Sequence, residues 1–158
     1  MLRIGQSTDI HALEEGLPLI IGGVNIPYKK GFVAHSDGDV LIHAICESIL
    51  GALALGDLGK HFPDTSEEFT NINSMILLER VYSLMTQEGY QINNLDALII
   101  IEEPKMAPHI DKMRSNIAST LHTPITNISI KATCNEKLGY IGRSEGAMAQ
   151  CIVLLTNL

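Results

Sequence analysis

The stretch Ala34–His43, AHSDGDVLIH, with the apolar run that follows it to Leu55, decides how this chain is read. It sets two histidines, two aspartates and a serine around one glycine and runs directly into a helix. His35, Ser36 and Asp37 read as a loop, with Gly38 freeing the backbone to turn. A helix starting near Asp39 places Asp39, His43 and Glu47 at i, i+4 and i+8, one polar stripe on an otherwise apolar surface. Val40, Leu41, Ile42, Ala44 and Ile45 leave that helix little surface for solvent, so its polar groups need partners. Asp9 and His11 sit two apart on an N-terminal strand and so project from one face. With His43 they make a carboxylate and two imidazoles, a donor set that suits zinc with a fourth position open. Each residue also has a plainer reading. His43 alone suits a core histidine bonded to backbone, Asp-x-His at a strand end arises by chance, and Asp39 suits a helix cap or first-turn acid.

Outward from this stretch, Leu2–His11 begins as a strand and ends in the polar Asp9-Ile10-His11. Leu17–Ile21, Gly22-Gly23 and Val24–Ile26 form a hairpin signal that Pro27 ends. The helix from Asp39 is expected to run to Leu55 and stop at Gly56. Gly56–Thr65 is rich in glycine, proline, acids and histidine, and reads either as a solvated turn or as a loop that carries function. Ile72–Gln87 has helical apolar spacing closed by Gly89, with Met75 and Met85 as core filler. Leu95–Ile101, apolar at every position but Asp96, reads as a central strand covered on both sides. It ends in Glu102–Pro108, where Lys105 sits at a strand end that delivers side chains to a site. Ile110–Leu121 is a third helix. Asn127–Ala132 is another strand, ending in Thr133–Lys137; Gly139–Gly146 is a glycine-punctuated turn and Cys151–Leu155 the last strand. The order predicts an α+β fold, a mixed β-sheet with helices packed on one face. The opposite face of so apolar a chain calls for a partner subunit.

With 158 residues and neither repeats nor linker, residues 1–158 are expected to form a single catalytic domain. A hydrophobic content of 46% against 18% charged residues excludes the disordered class. The net charge of -7 argues against a nucleic-acid surface and leaves any polyanionic substrate to local cations or metals. No apolar run is long enough for a membrane span, and the N-terminus reads without the apolar core of a signal peptide. Cys46, Cys134 and Cys151 are odd in number and widely spaced, which suits free thiols and a cytoplasmic location.

Six linked motifs then narrow the reading. An N-terminal D-x-H, A-H-S-D-G-D-V-x-x-H-A, L-G-A-x-A-L-G-D-x-G-x-x-F-P-D-T, P-K-M-x-P-H, K-A-T-x-x-E-K-L-G and G-R-x-E-G occur in order along nearly the whole chain. Together they resemble the 2-C-methyl-D-erythritol 2,4-cyclodiphosphate synthases of the non-mevalonate isoprenoid pathway. The resemblance implies a ferredoxin-like sandwich assembled as a homotrimer with active sites between subunits, and an isoprenoid in the central cavity. It implies cyclisation of 4-diphosphocytidyl-2-C-methyl-D-erythritol 2-phosphate, in which the 2-phosphate attacks the β-phosphorus and CMP leaves.

Carried onto matching positions, the resemblance gives Asp9, His11 and His43 to zinc, and Glu136 to magnesium or manganese on the diphosphate. It places His35 and Ser36 on the substrate phosphate and Asp57 and Asp64 near the erythritol, with Gly59 and Phe62 in the same stretch. Lys105, Met106, Ala107, Ala132, Thr133 and Cys134 receive the cytidine nucleotide, with Tyr140 among the binding residues and Arg143 and Glu145 towards the trimer axis. Asp9, His35, Ser36, Asp57, Asp64, Thr133 and Glu136 form the catalytic set. Glu47, one turn beyond His43, either orients a zinc imidazole or is solvated. Three positions depart from the pattern. Ser7 and Thr8 replace a glycine and an aromatic, Cys134-Asn135 replaces a threonine run, and Ser66 replaces the last acid of F-P-D-T-D. A zinc hydrolase of another phosphoester, and a non-catalytic trimer that binds metal or isoprenoid, are the rival classes.

Overall fold

A computed structural model describes all residues from Met1 to Leu158. Strand β1 (Leu2–Glu15) alternates along most of its length, with Gly5, Ser7 and Leu13 buried while Leu2, Ile4, Gln6, Thr8 and Ile10 are exposed. A half-buried strand needs cover on one face only, and its period of two sorts the side chains accordingly. β1 pairs antiparallel with β7 (Gly146–Asn157), from Leu2 opposite Thr156 to Ala12 opposite Gly146. β7 pairs antiparallel with β5 (Tyr90–Ile100), and β5 lies parallel to β6 (Ile128–Thr133). β4 (Lys30–Phe32) adds a short edge, and the sheet order is β4-β1-β7-β5-β6. β2 (Leu19–Ile21) and β3 (Val24–Ile26) form the expected separate hairpin.

Helices α1 (Val40–Ala52), α3 (Ser74–Gln87) and α4 (Ile110–Thr120) cover the inward residues of this sheet. α2 (Leu58–His61) and α5 (Gly139–Gly142) are short helical turns inside stretches that read as loops. α1 lies hard against β1 because Gly5 has no side chain: a Cβ there would meet Ser48 O at 1.9 Å. Ala97, Ala147 and Ala149, all buried, keep the neighbouring strands equally low under the helix. At the N-terminus of α1 the buried Asp39 carboxylate accepts from Ile42 N–H (3.1 Å), Gly22 N–H (2.9 Å) and Gly23 N–H (2.8 Å). It caps the helix and ties the β2–β3 hairpin to it. Burial pushes this carboxyl up to about 6 against the three donors that favour its charge.

The mixed sheet with helices on one face agrees with the sequence reading; four details do not. α1 ends at Ala52 rather than Leu55, because Leu55 N–H turns back to Leu50 O and Gly56 takes a positive φ of 90°. β7, not β5, is the central strand, and β5 is covered on one side only, with Asp96, Leu98 and Ile100 half-buried on the other. β7 starts at Gly146, well before the expected Cys151. A ferredoxin-like sandwich separates the two strands of each β-α-β unit, whereas β5 and β6 here pair side by side across α4. The uncovered face carries Ile4, Ile10 and Ile152 at 71%, 50% and 55% exposure, an apolar surface without cover in the single chain.

Candidate active site

Asp9 and His11 leave β1 on its covered face and meet His43, one turn into α1. Asp9 Oδ2 lies 2.8 Å from His11 Nε2 and 3.2 Å from His43 Nδ1, and the two ring nitrogens are 3.3 Å apart. Yet Asp9 Oδ2 is buried with no hydrogen bond of acceptable geometry. The three donor atoms all lie within 4.8 Å of one another, close enough to share one metal ion. Donors on a tetrahedral zinc, with bonds of about 2.0–2.1 Å, stand roughly 3.3 Å from each other, so the residues present fit such an ion. Burial raises the Asp9 carboxyl, but the two imidazoles beside it, His11 and His43, outweigh this and hold the group down at about 2. Burial lowers the His43 imidazole, and the Asp9 carboxylate more than reverses this.

The far side of His43 is held by Ser36, from the opening stretch, and by Ser74, which pattern reading did not single out. His43 Nε2 lies 2.9 Å from Ser74 Oγ, at the first position of α3, and 3.1 Å from Ser36 Oγ. The Ser74 hydroxyl donates to Asp37 Oδ1, and Asp37 Oδ2 accepts from Ser74 N–H at 2.9 Å. Glu47 is not on the imidazole. Its Oε2 accepts from Ser7 Oγ at 2.7 Å and its Oε1 from Leu58 N–H at 3.3 Å, which joins β1 to the start of α2.

His11 and His43 open onto a cavity of about 300 Å³ whose wall includes His35, Ser36, Gly59, Phe62 and Asp64. Gly38, at φ 77°, gives the turn that brings Ser36 here, and a Cβ on it would meet the Phe32 side chain at 2.6 Å. Asp57 is not on this wall; its carboxylate accepts from Lys60 N–H at 3.0 Å and caps α2. The stretch 56–65 is thus part of a cavity and not only a solvated turn.

A second cavity, of about 450 Å³, gathers Lys105, Met106 and Ala107 after β5 with Ala132, Thr133 and Cys134 at the end of β6. Glu136 stands outside its lining, on a turn where Glu136 and Lys137 take φ of 52° and 60°. Glu102 supports that turn, accepting from Asn135 N–H (2.9 Å) and Lys137 N–H (3.0 Å). Tyr140 and Arg143 line neither cavity; Arg143 Nε donates to exposed Glu145 Oε1 at 2.8 Å. The register puts Ile10, Met148, Ile100 and Thr133 in one row across β1, β7, β5 and β6. The Asp9–His11–His43 cluster and the second cavity therefore share one end of the sheet, about 14 Å apart at 4.8 Å per strand, and the two cavities have no wall residue in common.

A profile described as the YgbB family matches residues 2–156. The chain belongs to the YgbB family. Over 158 residues it is 58% identical to the 2-C-methyl-D-erythritol 2,4-cyclodiphosphate synthase of Clostridioides difficile (strain 630), covering 99% of this chain and 98% of that protein. It is 54% identical over 155 residues to the synthase of Geobacillus sp. (strain WCH70), covering 98% of each. The fold superposes on IspF of Plasmodium falciparum in its CDP complex with a TM-score of 0.87 at 35% identity, covering 99% of this chain and 96% of that one. On the bifunctional IspDF of Campylobacter jejuni the TM-score is 0.96 at 41% identity; all of this chain is covered but only 43% of that longer protein. The motifs that suggest the cyclodiphosphate synthases all fall within residues 2–156, the part matched by the YgbB family. No helix is long and apolar enough to cross a membrane.

Proposed function

We propose that residues 1–158 act as one catalytic domain that converts 4-diphosphocytidyl-2-C-methyl-D-erythritol 2-phosphate to 2-C-methyl-D-erythritol 2,4-cyclodiphosphate and CMP. The observation that carries this reading is the convergence of Asp9 Oδ2, His11 Nε2 and His43 Nδ1 beside a cavity that also holds His35 and Ser36. An oxygen of the 2-phosphate bonds to the β-phosphorus, the bond from that phosphorus to the α–β bridging oxygen breaks, and CMP carries that oxygen away. No water is consumed. Such a transfer needs in-line positioning and charge neutralisation more than covalent help from the protein.

Asp9, His11 and His43 are assigned to zinc and Glu136 to magnesium or manganese, and the cations, when bound, offset the phosphate charge that an acidic chain of net charge -7 would repel. His35 and Ser36 donate to the phosphate from the cavity wall. Gly59 leaves the α2 backbone open to the substrate and Phe62 closes the apolar side, while Asp64 from the wall, and Asp57 through the carboxylate oxygen that capping of α2 leaves unused, hold the erythritol hydroxyls. Lys105, Met106, Ala107, Ala132, Thr133 and Cys134 receive the nucleotide; the relative solved with CDP supports a cytidine diphosphate at this fold. Tyr140 and Arg143 complete the binding set from the neighbouring turn.

The assembly belongs to the same proposal. A homotrimer would cover the exposed Ile4, Ile10 and Ile152 and would place the metal half of one chain against the nucleotide half of the next. The resemblance extends this to an isoprenoid in the cavity on the trimer axis, and the free thiols suit a cytoplasmic location. The test is incubation of the purified protein with the cytidylylated substrate and a divalent cation. One CMP per cyclic diphosphate supports the reading. A linear phosphate product would assign a hydrolase, and zinc retained without turnover a non-catalytic protein.

A further inference from the structure

The metal reading gives His43 its Nδ1 lone pair, and a neutral imidazole can offer that pair only if its proton sits on Nε2. Two hydroxyls lie within reach of that nitrogen, Ser74 Oγ at 2.9 Å and Ser36 Oγ at 3.1 Å. They are not equivalent. The Ser74 hydroxyl is fully buried and already donates its one proton to Asp37 Oδ1. Asp37 is an acceptor only, and its oxygens also take Ser74 N–H (2.9 Å) and Asp39 N–H (3.0 Å), so it has no proton to return. Every donation in the chain then runs one way, from His43 Nε2–H to Ser74 Oγ and from Ser74 Oγ–H to Asp37. Ser36, by contrast, is partly exposed on the cavity wall, and its oxygen accepts Gly38 N–H at 3.3 Å.

We infer that Asp37 and Ser74 are positioning residues that lock the His43 tautomer, and that Ser36 is left free to turn its hydroxyl to the ligand. The inference rests on the metal reading of Asp9, His11 and His43. It divides the labour between two serines that distance alone does not separate. It also connects three segments, the loop before α1, α1 itself and the start of α3, so that docking of α3 supplies the group that orients His43.

The test is zinc affinity, read by competition against a chromophoric chelator, with thermal melting of the metal-free proteins as the control for folding. Ser74→Ala is expected to bind zinc about 10–100-fold more weakly, the usual cost of losing a group that orients a metal imidazole. Asp37→Asn is expected to weaken binding in the parent protein but to add little in the Ser74→Ala background, because the two act through one chain of hydrogen bonds. Ser36→Ala is expected to leave zinc affinity within about twofold, since its hydroxyl is not the acceptor that orients the metal ligand. Parent-like affinity in Ser74→Ala, losses that simply multiply in the double variant, or an equal loss in Ser36→Ala would overturn the proposal. Should Ser74→Ala not fold, the contrast between Asp37→Asn and Ser36→Ala decides in the same way. A parent protein that holds no zinc, or a His11→Ala variant that keeps it, overturns the metal reading itself, and this inference with it.

Discussion

Glu102 Oε1 accepts Lys137 N–H at 3.0 Å, and its other oxygen accepts Asn135 N–H at 2.9 Å, so a carboxylate at the end of β5 holds the turn that presents Glu136. That turn takes left-handed backbone at Glu136 and Lys137, which non-glycine residues adopt at some cost and keep only when neighbours over-determine it. Glu102→Ala removes both acceptors at a half-buried site. Turnover is expected to fall about tenfold, the equivalent of one such hydrogen bond at roughly 1.4 kcal/mol, while zinc content stays at the parent level. Metal analysis beside a CMP-release assay checks both halves. Turnover unchanged would mean that the Glu102 clamp is not needed to place Glu136.

Glu136 itself is tested by Glu136→Gln, which keeps the shape and removes the charge. The expected outcome is a loss of turnover by orders of magnitude with zinc undisturbed, because charge developing on the phosphates goes uncompensated. Loss of zinc in this variant would place Glu136 in the other half of the site.

Among the three thiols only Cys134 is exposed; burial raises Cys46 well above the ordinary thiol value and pushes Cys151 up to about 12. Thiolate is the reactive form, so an alkylating reagent is expected to modify Cys134 alone in the folded protein. Cys134 also lines the second cavity. Added CDP is therefore expected to slow that modification, read by intact mass against time. Alkylation at the same rate with saturating CDP would remove the nucleotide from this cavity.

The meeting of Asp9, His11 and His43 is legible because its signals are local. Asp9 and His11 obey the strand period, and His43 is a polar residue where an apolar helix has no other use for one. Glu47 misled for the same reason. Spacing along α1 suggests an i, i+4 relation to His43, whereas its partner Ser7 comes from a strand 40 positions away. Ser74 left no mark in the pattern. It reads as a helix-start serine two residues inside an expected Ile72 start, and only docking of α3 makes it the acceptor for His43. From the sequence Asp39 reads as a helix cap or a first-turn acid. Its three N–H donors settle it as a cap that also anchors the hairpin. The misplaced centre of the sheet has a physical cause too. The run Leu95–Ile101 is apolar at nearly every position because its second face is oily, and a single chain does not say what covers that face.

Asp39→Ala would leave three backbone donors without their acceptor in the core. The expected cost is about 2–4 kcal/mol, a lost cap plus buried donors left unpaired. Chemical denaturation at neutral pH measures it. A cost below about 1 kcal/mol would show that water or backbone carbonyls replace the carboxylate, as they do at exposed caps.

The last prediction concerns the assembly. The Asp9–His11–His43 cluster and the cavity assigned to the nucleotide lie at one end of the sheet but on separate walls, about 14 Å apart by strand count. His11→Ala disables the first half and Glu136→Ala the second, and each variant alone is expected to be nearly inactive. Unfolded together and refolded in equal amounts, they should form mixed trimers. A site between chains needs an intact metal half from one protomer and an intact nucleotide half from its neighbour. Each condition is met half the time when head-to-tail interfaces mix at random, so activity should recover to about a quarter of the parent value. A site within one chain is different, because every chain in the mixture carries one disabled half, and nothing recovers. Native mass measurement must show that mixed trimers formed before the assay is read. Mixed trimers with no activity would place both halves on one chain and leave the zinc assignment standing.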